Sequence, residues 1–171
     1  MTCAPGPALR VGLLGILVAA GLACASAPDP NARVPIVAPD LASFTPVSAF
    51  LNHRCGSLDC HGQWGRNLRL LGHEGLRLDP ADAPGGSATT TAEIGANYES
   101  VVGLEPELMR VVVEEGGAHP ERLTLVRKGR GAEHHKGGAL VITGDAQDRC
   151  VTSWLAGALD QTACTAALAT P

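Results

Sequence analysis

Apolar positions fall in short groups separated by long polar stretches rich in glycine and proline. After Thr45-Pro46, residues Val47, Phe50 and Leu51 stand at i, i+3 and i+4, which predicts a short helix with one apolar face. The hydroxyl followed by proline sets its start, with Thr45 as N-cap and Pro46 as the first helical residue. Thr90-Thr91-Ala92-Glu93 reads as a capping box, and Ile94, Tyr98, Val101 and Val102 continue at helical spacing to Gly103. Between Glu105 and Glu115 the apolar residues Leu108, Met109, Val111, Val112 and Val113 suit a helix or a strand, and periodicity does not separate the two. A last helix starts at Asp145, with Asp148 three residues on. It places Val151, Trp154 and Leu155 on one face and ends near Gly157. Gly62 to Pro84 and Gly116 to Gly144 read mostly as loop, with short apolar pieces at Leu68–Leu71 and Leu123–Val126. No internal repeat is visible. The pattern predicts a small, mainly α, loop-rich domain with helices at both ends.

The first forty residues stand outside that pattern. Residues 11–23 form an uncharged apolar run preceded by Arg10. Such a run rises only about 20 Å as a helix, too short for a hydrocarbon core of about 30 Å. A basic start, a short apolar middle and a small-residue exit make a secretory signal over residues 1–23. The exit Gly21-Leu22-Ala23-Cys24 resembles a bacterial lipobox, which implies Cys24 as a lipid-bearing first residue of the mature protein and a membrane anchor; Gly21 departs from the branched aliphatic usual there. Simple cleavage before Ser26 is the alternative. Residues 24–43, with Pro28, Pro30, Pro35 and Pro39, read as an extended tether, leaving 44–171 as the domain.

Composition narrows the picture. The net charge is -4 and no Lys/Arg-rich run exists, which sets nucleic acid aside as a partner. Five aromatic residues (Phe44, Phe50, Trp64, Tyr98 and Trp154) leave little to fill a large core unless a cofactor occupies part of it. Export places the mature chain in an oxidising compartment, so its cysteines need partners. With Cys3 removed and Cys24 lipidated, Cys55 with Cys60 and Cys150 with Cys164 remain as two pairs. A Cys150–Cys164 disulfide would close a loop of about 15 residues, for about 3 kcal/mol in the loop-entropy account.

The chemistry concentrates in Cys55-Gly-Ser-Leu-Asp-Cys60-His61-Gly62. Two thiols followed at once by a histidine form the arrangement of covalent haem attachment: the thiols add to the two vinyl groups and His61 reaches the iron from one side. Four residues separate the cysteines where two are usual, so the extra residues must bulge, and Gly56 and Ser57 are small enough to allow it. Gly62 lets the chain leave without a side chain striking the porphyrin. A plain Cys55–Cys60 disulfide with His61 incidental, or a bare metal site, are the competing readings.

The order of helix, Cys-x4-Cys-His, long loops and a Trp-containing terminal helix resembles class I cytochrome c domains. Over Phe44 to Gly157 the chain is similar to single-haem cytochrome c-like domains of planctomycete and myxobacterial exported proteins. Lys128-Gly-Arg-Gly131, His134-His135-Lys136-Gly137-Gly138 and Ser153-Trp154-Leu155-Ala156-Gly157 carry that likeness. The resemblance implies one covalently bound haem c, a first and a last helix crossing beside it, and a distal ligand at His135. Met109, among aliphatic residues, is the alternative ligand. Two imidazoles would hold the potential below that of a His/Met site. Arg66, Arg69 and Arg77 are either partners of the haem propionates or solvated charges.

No Ser-His-Asp order, framed carboxylate pair or phosphate loop points to an enzyme. The expectation is therefore an exported, lipid-anchored electron carrier on the periplasmic face of a bacterial membrane, serving a periplasmic redox partner protein. A haem-free, disulfide-stabilised envelope lipoprotein is the competing class, and a haem sensor or peroxidase-like module with an open distal position the third.

Overall fold

Six α-helices make up the regular structure of the computed structural model, which describes residues 36–169: α1 (Thr45–Cys55), α2 (Thr91–Val102), α3 (Pro106–Glu114), α4 (Thr124–Gly129), α5 (Ala146–Leu155) and α6 (Gln161–Leu168). No strand occurs among the described residues, so the mainly α expectation holds. The 1–23 signal and Cys24 lie outside the described residues. Among those residues no helix is long and apolar enough to cross a membrane.

Local signals placed the ends of α2 and α5 well. Thr90 accepts from the Glu93 N–H and Glu93 returns the bond to Thr90, a complete capping box. Asp145 accepts from the Asp148 N–H at 2.7 Å. At α1 the start differs from the expectation: Thr45 is already helical and Phe44 is the cap residue, without a side-chain bond. A 3₁₀ turn over Leu41–Ser43 runs directly into α1, with the Phe44 N–H bonded to the Leu41 carbonyl, so no separate hydroxyl cap is needed.

Three differences follow from contacts distant in sequence. The ambiguous 105–115 stretch is helix α3, and only Met109 and Val112 of its apolar residues are buried. Leu123–Val126, read as loop, belongs largely to α4, whose first N–H at Thr124 is bonded by the Glu105 carboxylate at 2.5 Å. The expected tether is docked from Ala38 onward, because Tyr98 donates to the Pro39 carbonyl at 2.8 Å and Trp154 Nε1 to the Asp40 carbonyl at 3.2 Å. Buried ring N–H and O–H groups need such acceptors.

α1, α5 and α6 pack against one another. Phe44, Tyr98 and Trp154 meet at their edge, with Phe44 and Trp154 ring centres 4.9 Å apart. Cys150 and Cys164 are joined, fastening α6 to α5 as their spacing suggested. α6 itself was not anticipated, although Asp160, which accepts from the Ala163 N–H, is an ordinary cap signal.

The long 62–90 loop is held from inside. Asn97 on α2 accepts from the Leu71 N–H and donates to the Leu71 carbonyl and to Ser48 on α1. Arg77, expected at a propionate or in solvent, does neither: its side chain is buried and pairs with the Glu93 carboxylate at 2.8 Å. Its remaining N–H groups reach the carbonyls of Ser87 and Ala88. Burial alone would raise the Glu93 pKa, but Arg77 and the N–H groups of Thr90 and Leu78 outweigh it and hold the carboxyl at about 2.

Removing one partner of this pair strands a buried charge, so Arg77→Ala should lower stability by about 3–5 kcal/mol in urea unfolding. Because the folded Glu93 pKa lies below the unfolded one of about 4.3, its stabilisation is complete above that value. It is lost as pH falls through about 2. Unfolding measured from pH 6 to pH 2 should show a shallower acid loss in Glu93→Gln than in the parent; equal slopes would remove Glu93 from the acid response.

Candidate cofactor site

Cys55 is the last residue of α1, and the chain turns back on itself immediately beyond it. The His61 N–H donates to the Cys55 carbonyl at 2.9 Å, and the Ser57 carbonyl accepts from both Cys60 and Gly62. The four intervening residues are thereby folded into one compact turn, with Ser57, Leu58 and Asp59 exposed as the bulge. Gly56 is instead buried, its carbonyl oxygen lodged between Gly62 and Gly75. A Cβ on either glycine would overlap that oxygen. Gly62 is thus required by the backbone packed against it. Leu70 N–H to His61 O and Leu76 N–H to Gly62 O tie the next loop across the turn.

His61 lies over this turn with Nδ1 2.8 Å from the Leu68 carbonyl. A carbonyl can only accept, so Nδ1 carries the hydrogen and Nε2 keeps a lone pair. Burial pushes the His61 pKa down, the Leu68 bond opposes this, and His135, Arg66 and Lys128 push it further down. The ring is therefore neutral near pH 7 and able to ligate a metal. Burial raises the Cys55 thiol to about 11, Cys60 adding to the shift and Arg54 opposing it. It stays protonated at neutral pH, which slows disulfide exchange because the thiolate is the attacking form. Cys55 and Cys60 are both free thiols here.

Beside the turn opens a cavity of about 600 Å³, within the range of small-molecule and cofactor sites. α1 contributes Phe50, Leu51 and Cys55 to its wall, α5 contributes Gln147 and Val151, and the 134–141 segment contributes His135. Cys60 and His61 line it as well. The imidazoles of His61 and His135 are nearly parallel, at 17°, with ring centres 5.8 Å apart. The volume and the pair of thiols beside His61 fit a flat metal-bearing macrocycle. A bare ion fits less well, since among the described residues no three His, Cys, Asp or Glu side chains converge on one point.

The remaining expected residues separate clearly. Met109 is buried in the apolar core and does not line the cavity. His134 is exposed at the cavity mouth, while His73 and His119 bond to the Ser87 carbonyl and Glu121 elsewhere. Arg66 lines the mouth and donates to the Cys60 carbonyl at 2.9 Å; Arg69 stands over the exposed Trp64 ring at 5.0 Å. Two further polar groups were missed in the sequence. Gln147, only 2% exposed, lines the cavity with an Nε2 that has no partner. It sits one turn before Val151 on a face whose orientation the apolar spacing did reveal. The Leu68 carbonyl left no trace in the sequence, being backbone.

No family model, curated protein or solved structure matches this chain.

Gly62→Ala should prevent the Cys55–Gly62 turn from forming, because its methyl group meets fixed backbone rather than a movable side chain. Gly65→Ala is the matched control, as its methyl group would have nothing within 4 Å. Thermal unfolding should show a large loss for the first and little change for the second; equal melting temperatures would disprove the wedged-carbonyl account.

Proposed function

We propose that this protein is a monohaem c-type cytochrome, exported and lipid-anchored through Cys24, that carries electrons to or from a periplasmic redox partner. One observation carries the reading: a single cavity is lined by Cys55, Cys60, His61 and His135, with the two imidazole rings 5.8 Å apart. Cys55 and Cys60 would hold the porphyrin by thioether bonds, and His61 and His135 would supply the imidazoles for its iron. When bound, the group supplies a reversible one-electron ferric/ferrous couple. The Leu68 carbonyl orients His61 and raises its basicity through Nδ1, the usual role of a hydrogen bond behind a metal-bound histidine. Phe50, Leu51 and Val151 keep water from the buried side of the cavity. The packing of α1 on α5 beside the cavity agrees with the cytochrome-like arrangement. A haem-free lipoprotein stabilised by two disulfides has less support, since among the described residues Cys150–Cys164 is bonded and Cys55 and Cys60 are free thiols.

Produced with a cytochrome maturation system, the protein should be red and its denaturing-gel band should keep haem peroxidase stain. Cys55→Ser with Cys60→Ser should abolish both and leave the cavity side poorly folded. A colourless parent with a stably folded double variant would transfer the assignment to the haem-free class.

The ligand set has its own signature. With His135 in place the ferric spectrum should be low-spin and lack the weak red-edge band of a Met sulfur. His135→Ala should become high-spin, while Met109→Leu should stay low-spin. High-spin Met109→Leu would move the sixth ligand to Met109.

A further inference from the structure

The two histidines facing the cavity are supported very unequally. His61 is held at its backbone N–H by Cys55 and at its ring by the Leu68 carbonyl, and it adjoins Cys60. His135 has no ring partner: its Nδ1 is buried without a hydrogen bond. That edge of the ring is covered by Gly137, where a Cβ would stand 2.9 Å from His135 Cε1 and where no acceptor is present. The backbone around it is equally bare. Across residues 134–139 the structure shows one hydrogen bond, from the Gly138 N–H to the His135 carbonyl, and apart from His135 these residues are exposed. The segment is pinned only beyond its ends, by Ala132 N–H to Arg127 O and by Leu140 and Val141 N–H to Gly129 O.

A hydrogen bond behind a metal-bound imidazole raises its basicity and fixes its orientation, and loss of such a partner typically weakens metal binding by about 10–100-fold. We propose that His135 is an exchangeable ligand, so that the cavity also binds small neutral π-acceptor diatomics of the carbon monoxide and nitric oxide class at the position His135 vacates. The inference rests on the cytochrome reading above. With haem bound, the exchange would be a substitution without redox change: His135 Nε2 would give up its bond to ferrous iron as a neutral imidazole, the diatomic would take that bond, and His61 would stay in place. The apparent affinity is reduced in proportion to the fraction of molecules in which His135 has left.

The test uses the haem-loaded full chain, with haem content first measured as the pyridine haemochrome. Carbon monoxide is then mixed with the dithionite-reduced protein. The parent should start low-spin and take up carbon monoxide to saturation, at a rate that levels off at high gas concentration, the plateau being the release of His135. His135→Ala should bind without a plateau and with at least tenfold higher affinity. A low-spin, haem-loaded parent that takes up no carbon monoxide while His135→Ala does would overturn the exchange alone. A parent that binds linearly and identically to His135→Ala would show that His135 does not occupy the position. A preparation without haemochrome would overturn the cytochrome reading together with this one.

Discussion

The hydrogen bond from the His61 N–H to the Cys55 carbonyl joins the end of α1 to the imidazole that follows the second thiol. Everything around the cavity depends on it. It closes a turn in which four residues between the cysteines cost no reach, because the excess is folded outward as Ser57-Leu58-Asp59. The same closure drives the Gly56 carbonyl inward, where only two glycines leave room for it. Leu70 and Leu76 then bond across the turn, so the loop that carries the Leu68 carbonyl is positioned by the backbone it must support. The imidazole orientation is therefore a property of main-chain geometry.

Two sides of the domain do different work. On one, Phe44, Tyr98 and Trp154 meet at their rings, α6 is bonded to α5 through Cys150–Cys164, and the 38–43 segment supplies acceptors for buried ring groups. On the other, four of the five aromatics are absent, and apolar residues such as Phe50, Leu51 and Val151 share the cavity wall with polar ones such as His61, His135 and Gln147. Phe50 alone crosses between them. A chain so poor in aromatics closes one core around three of them and leaves a cavity of about 600 Å³ on the other side.

The charges are sorted by the same division. Arg77 is consumed inside the 72–93 region, where breaking its pair with Glu93 would free the loop that backs the attachment turn. Arg66, bonded to the Cys60 carbonyl, and Lys128, paired with Glu133, line the cavity, as does Gln147, whose buried Nε2 has no partner. Such a buried N–H is costly unless a bound group accepts from it. His61 is braced at its backbone and its ring, whereas His135 is held sparsely and its Nδ1 lacks a hydrogen bond.

The sequence by itself determined what short-range chemistry controls. Capping residues set the starts of α2 and α5, apolar spacing gave the buried face holding Val151 and Trp154, and cysteine spacing gave the Cys150–Cys164 pairing. Adjacency alone put two thiols and an imidazole in one turn. Tertiary structure decided what depends on partners far along the chain. α4 was hidden because the carboxylate at its start comes from Glu105, and the docked 38–43 segment because its donors are Tyr98 and Trp154. The role of Arg77 depended on Glu93 arriving from the first turn of α2. His135 could be named from its glycines, but its distance from His61 and its missing ring partner could not, because both are set by how two long loops fold over a shared cavity. Local rules read neighbours within a few residues; loops of this length are placed by backbone carbonyls that every residue possesses.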